Sequence, residues 1–147
     1  MLSAVIDSTA LVSAFIRKEG VSAVLLRHAA GGVFALSLSQ EIITETKTVL
    51  LEREHIRRRY PYTDEDVTEF CQSLSESFPL VTDLPQVTVV MRDPKDDMVI
   101  ATALQAHVSY IVTRDDDLLS LSSYEGITMI TPEAFMGLLR ERGGLHP

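Results

Sequence analysis

Carboxylates recur where the apolar runs of this chain end. Asp7 closes Ala4-Val5-Ile6. Glu45 lies in a helix-like segment after Leu36-Ser37-Leu38. Asp93, Asp96 and Asp97 open the segment that carries Ile100-Ala101-Thr102-Ala103-Leu104, and Asp115, Asp116 and Asp117 follow Tyr110-Ile111-Val112-Thr113. In an open parallel α/β sheet the carboxyl ends of the strands form one rim, and ligands bind there. Acids far apart in the sequence can therefore converge. Converging carboxylates repel one another unless a hard divalent cation neutralises them. The chemistry this pattern offers first is a metal site built from oxygen ligands.

Bringing those acids together requires alternating strands and helices. Residues 3–6 read as a short buried strand ending at Asp7, with Ser8 or Thr9 capping a helix over 10–16 that Gly20 breaks. A second helix over 21–30 stops at Gly31-Gly32. A second strand is predicted over 33–38, then a long helix over 40–55 capped by Ser39, then a basic, aromatic turn over 57–62. Thr63 caps a helix over 64–77. Of two β-like stretches, 78–82 and 87–91, one supplies a third strand. Pro94 suits the first turn of a helix running to about 106. Strands over 110–113 and 127–130 flank a short helix over 116–121, and a final helix starts at Thr131-Pro132-Glu133. The alternation predicts an α/β fold with a central, mainly parallel sheet of about five strands. One domain over 1–142 and a flexible tail over 143–147 complete the expectation.

Composition narrows the alternatives. The chain has 147 residues, 46% of them hydrophobic, which is a globular composition. No apolar run approaches the ~20 residues that cross a bilayer, and the N-terminus lacks the basic-then-apolar layout of a signal peptide. Cys71 is the lone cysteine, so there is no disulfide framework and no thiolate zinc site; a cytoplasmic location is the default expectation. A net charge of −8 opposes nucleic-acid binding in bulk, but many of the acids sit where cations would offset them, and Arg53, Arg57, Arg58 and Arg59 cluster. There is no glycine-rich phosphate loop and no nucleophile elbow, and His28, His55, His107 and His146 share no metal-ligand spacing.

Blander roles compete for each acid. Asp7 is either a rim residue or a helix cap. Acids in a first helical turn favour the macrodipole and need do nothing else, which accounts for some of those after Arg92 and Arg114. Glu41 reads as a solvated residue. Glu45 shares its helix face but lies among Ile42 and Val49, where an acid needs a partner, either Arg53 or a metal. Two acid-rich strand-to-helix junctions in succession favour convergence over capping alone.

With these residues in view, the chain resembles the PIN domain nucleases. The resemblance covers nearly the whole chain. It rests on Val5-Ile6-Asp7-Ser8-Thr9-Ala10, on Ser39-Gln40-Glu41-Ile42-Ile43-Thr44-Glu45, on Asp93-Pro94-Lys95-Asp96-Asp97-Met98-Val99-Ile100-Ala101, and on Thr113-Arg114-Asp115-Asp116-Asp117. The closest likeness is to the prokaryotic branch of toxin components of toxin–antitoxin systems. The resemblance implies a three-layer α/β/α sandwich and Mg²⁺- or Mn²⁺-dependent cleavage of RNA. By position it implies Asp7, Glu45, Asp96 and Asp115 as catalytic acids, with Asp7, Asp96, Asp115 and Asp117 holding metal. Thr9, Asp93 and Thr113 would support them; many family members carry Asn where this chain has Thr9. Arg53, Arg57, Arg58, Arg59, Tyr60 and Arg114 are candidates to grip RNA, and Lys95 lies with Arg114 nearer the acids. A small antitoxin protein and a homodimer are the partners this branch implies, with no membrane. The reading of a different class is a non-catalytic interaction module, using the helices over 39–55 and 63–77. A phosphoacceptor domain is a weaker third, since no lysine follows a late strand.

Overall fold

The structure, a computed structural model, describes residues 1–90 and 93–142. Strand β1 (Ser3–Ile6) is buried along most of its length, with Ala4, Val5 and Ile6 at most 1% exposed. A strand without a polar face must be covered on both sides, and a parallel sheet between helices does this. β1 pairs in parallel with β2 (Ala35–Ser39) on one side and with β4 (Tyr110–Val112) on the other. β3 (Leu80–Val81) adds to β2 and β6 (Ile127–Ile130) adds to β4, both in parallel, while β5 (Ser123–Tyr124) closes that edge antiparallel to β6. The order is β3-β2-β1-β4-β6-β5 within a three-layer α/β/α sandwich. From β1 the chain builds outward to β2 and β3, then returns to add β4 on the opposite side. The switch point therefore lies between β1 and β4, where the carboxyl ends of a doubly wound sheet form a crevice.

The helices are α1 (Ser8–Ile16), α2 (Val21–Ala30), α3 (Gln40–Glu52), α4 (Glu54–Arg59), α5 (Asp64–Ser77), α6 (Pro94–Ala106), α7 (Asp116–Leu121) and α8 (Pro132–Glu141). α6 packs on β1, β2 and β4, and α3 contacts both α1 and α5. A buried hydrogen bond of 2.9 Å between the Ser39 and Thr102 hydroxyls ties the start of α3 to α6. The Phe34 and Phe135 rings meet edge to face, with centroids 4.9 Å apart.

Several expectations need correction. The second strand begins at Ala35 rather than Val33. The long helix predicted over 40–55 ends at Glu52, and α4 occupies much of the predicted basic turn. Arg53 is the extended joint between them, with ψ of 99°. No Gly or Pro marks this break. The last carbonyls of a helix need partners, and here side chains beyond the joint supply them: the Tyr62 hydroxyl donates to the Leu50 carbonyl at 2.6 Å, and Arg57 donates to the Leu51 carbonyl at 3.2 Å. The expected third strand is the two-residue β3, whereas residues 87–90 are irregular. Met91 and the expected tail over 143–147 lie outside the described residues. β5 has no counterpart in the sequence prediction; Ser122 and Glu125, with φ of 68° and 51°, and Gly126, with φ of 81°, make the tight path around it.

Candidate metal centre

The register of β1 against β4 places Ile6 opposite Val112, so Asp7 and Thr113 leave the sheet side by side. The Asp7 amide donates to the Val112 carbonyl at 3.1 Å, and Thr113 donates its amide to Ile130 at 2.9 Å. Asp7 is 2% exposed. Its Oδ1 caps α1 by accepting from the Ala10 amide at 3.1 Å, and also accepts from the Thr9 hydroxyl at 2.6 Å. Its Oδ2 accepts from the Thr113 hydroxyl at 2.5 Å. The rim and cap readings of Asp7 are therefore both satisfied by one side chain. The Thr113 hydroxyl also accepts from the Asp115 amide at 2.9 Å, and Thr9 accepts from the Arg114 amide at 3.0 Å. Two hydroxyls thus bind the end of β1 to the loop after β4.

Thr113 is fully buried, and Thr113→Val keeps its shape while removing the donor to Asp7. Leaving a buried carboxylate oxygen without that donor should cost about 1–3 kcal/mol, read as a lower urea midpoint with unchanged slope. An unchanged midpoint would mean that the hydroxyl does not support the site.

Asp96, Asp115 and Asp117 come together: one carboxylate oxygen from each lies within 4.8 Å of the others. α6 and α7 supply them, because Asp93 caps α6 through the Lys95 amide at 2.9 Å and Asp115 caps α7 through the Leu118 amide at 3.0 Å. Asp96 is 6% exposed, and among the described residues its Oδ2 has no hydrogen-bond partner. A buried, unsatisfied carboxylate oxygen is costly. Burial holds the Asp96 carboxyl well above the usual range, and the neighbouring Asp115, Asp93 and Asp7 carboxylates add to this. Asp7 is pushed up to about 6, again chiefly by burial and in part by Asp115, against the lowering effect of its hydrogen bonds to Thr113, Thr9 and Ala10. An all-oxygen donor set, an orphaned buried carboxylate oxygen and acids that resist ionising together suit a hard divalent cation.

Asp7, Glu45, Asp93, Asp96 and Asp115 line one cavity of about 340 Å³, together with Arg53 and Lys95. Glu45 stands on the α3 wall. Arg53 or a metal is its expected partner; the protein side chain that pairs with it is Lys95, with Nζ 3.1 Å from Oε1. Of the basic cluster, Arg53 reaches the cavity. Arg57 is held by Asp64 at 2.6 Å, while Arg59 lies over the Tyr60 ring at 5.6 Å. Arg58 is exposed, and Tyr60 lines a separate groove. Arg114 is tied by two hydrogen bonds, 3.1 and 2.7 Å, to Glu133 at the start of α8. Glu41 and Asp116 are exposed. Asp97 does more: its Oδ1 accepts from the Val89 and Val90 amides at 2.8 and 2.7 Å, which anchors the irregular approach to α6. Nothing in the spacing of Asp97 signals that task. Lys95 did leave a signal, since a cation in a first helical turn opposes the macrodipole.

No curated protein matches the chain. The family model described as PIN domain matches residues 3–117, a span that includes every acid of this site.

Proposed function

The chain belongs to the PIN domain family, a family of nucleases that generally work with a divalent metal, and from that premise we propose that it is a Mg²⁺- or Mn²⁺-dependent endoribonuclease. The observation that carries this reading is Asp96 Oδ2, buried without a partner beside Asp115 and Asp117. Asp96, Asp115 and Asp117 would hold the ion, and Asp7 adds its charge as their buried neighbour. When bound, the ion supplies neutralisation of phosphoryl charge and acidification of the attacking water. The chain's own residues do the positioning. Thr113 and Thr9 fix Asp7, and the α7 cap fixes one oxygen of Asp115. Asp93 holds the first turn of α6, and with it Asp96. Glu45 and Arg53 face them across the cavity.

Single-stranded RNA should be cut by the purified chain in Mg²⁺ or Mn²⁺, and EDTA should abolish the cleavage. Cleavage that survives EDTA, or that Asp7→Asn and Asp96→Asn leave at the parent rate, would assign the activity to a contaminant.

The finer role within the family is that of a cytoplasmic toxin component, a homodimer silenced by a small antitoxin. What favours a protein partner is a second groove of about 690 Å³ between α1, α2 and α5. It is walled by Phe15, Phe70, Tyr60 and Tyr62, with Lys18 and Arg27 balanced by Asp66 and Glu69 in its lining. A groove walled by aromatic rings suits an amphipathic segment of a partner. No helix among the described residues is long and apolar enough to cross a membrane. Light scattering and pull-down with the product of a small adjacent reading frame test this role. A monomer that captures no such product would remove it and leave the nuclease reading standing.

A further inference from the structure

We infer that Lys95 is the phosphate-binding residue of this site and that Glu45 acts through it, as the positioning residue that aims its ammonium group. The inference rests on the nuclease reading and assigns who receives the substrate's charge. Lys95 is the second residue of α6, where the positive end of the helix dipole disfavours a cation. A residue that is locally unfavourable at a site points to a use there. Glu45 offsets the cost: its side chain is 16% exposed, and its Oε1 holds Lys95 Nζ at 3.1 Å. This pair spans the cavity from α3 to α6. Glu45 is therefore already charge-paired, unlike Asp96, and it stands outside the three-carboxylate group.

Charge and donor counts agree on the occupant. The five acids that line the cavity outnumber its two cations, Arg53 and Lys95, by three. One divalent ion still leaves an excess negative charge, and an RNA phosphate adds another, so the phosphate needs a protein cation beside it. An ammonium group has three N–H donors. Glu45 accounts for one, and the Lys95 side chain remains 58% exposed, so the others are open to a ligand. Of the other cations near the acids, Arg53 also lines the cavity, while Arg114 is occupied by Glu133 in a bidentate pair.

The test measures binding and metal affinity separately from turnover. Binding of a fluorescent single-stranded RNA is followed by anisotropy in an uncleaving Asp96→Asn background, and Mn²⁺ binding to the otherwise intact chain by calorimetry. Lys95→Ala should weaken RNA binding about tenfold and lower the slope of log K against log salt by about 0.7, the loss of one phosphate contact. Lys95→Arg should restore most of both, and Mn²⁺ affinity should not fall in either variant. Glu45→Gln should weaken RNA binding in the same sense, with little further loss when combined with Lys95→Ala. Unchanged RNA affinity and salt slope in Lys95→Ala would overturn the assignment. So would a tenfold loss of Mn²⁺ affinity in Glu45→Gln, which would make Glu45 a metal ligand. If the parent cuts no RNA yet Lys95→Ala shows these binding changes, the phosphate site stands and the nuclease reading falls.

Discussion

Asp96→Asn should cut RNA about a thousandfold more slowly than the parent in saturating Mn²⁺ and, freed of metal, should melt at a higher temperature. Two effects of the same carboxylate produce these opposite signs. Preorganised charge at a reacting centre is worth about 10²–10³ in rate for each group removed, and Asp96 is the most buried member of the three-acid group. In the metal-free protein the same burial penalises its ionised form, and Asp115, Asp93 and Asp7 repel it. The neutral amide removes that repulsion and brings N–H donors, which can reach the adjacent Asp115 carboxylate. Relief of about 1 kcal/mol would raise Tm by roughly 4 °C in a domain of this size. Melting in EDTA near pH 8, beside a cleavage assay, measures both. If the variant loses activity and also melts lower, Asp96 is a structural residue whose removal damages the fold.

The acids were legible in the sequence because strand ends mark a rim. Asp7 after Val5-Ile6 and Asp115 after Ile111-Val112-Thr113 could be placed together once a parallel sheet was inferred, and the β1–β4 register does place them there. Capping and metal binding looked like rival explanations of the same residues. They are not rivals, since Asp7, Asp93 and Asp115 each cap a helix and line the cavity. A helix that starts at a sheet's rim brings its capping carboxylate to the rim with it. What the sequence hid depends on partners distant along the chain. The break at Arg53 is made by Tyr62 and Arg57, whose bonds to the Leu50 and Leu51 carbonyls replace a stop residue. The partner of Glu45 is 50 positions away in Lys95, beyond the reach of local spacing, which offered Arg53 or a metal. β5 pairs only two residues with β6, too short a run to show a periodicity.

Removing metal should also make stability fall as pH rises. The ordinary Asp7 carboxyl titrates at 3.8, and in the fold at about 6. Below the first value both folded and unfolded chains hold the proton, and the contribution to stability is fully present. Between the two values the unfolded chain gives up its proton while the folded chain retains it, so rising pH favours unfolding; above about 6 the loss is complete. A shift of roughly two units at about 1.4 kcal/mol each corresponds to about 3 kcal/mol lost across that window. Asp96, raised by burial and by its acidic neighbours, carries the decline to higher pH. A cation that neutralises these carboxylates removes the cause. The stability difference between Mn²⁺-saturated and EDTA-treated protein should therefore be small near pH 5 and largest near pH 8. Urea unfolding at unit steps of pH measures it. Asp7→Asn should flatten the part of the EDTA curve between about 4 and 6 and leave the higher part in place. A metal-free protein of constant stability across the whole range would mean that these carboxylates ionise freely, and that the crevice between β1 and β4 is not the electrostatic well a divalent ion would fill.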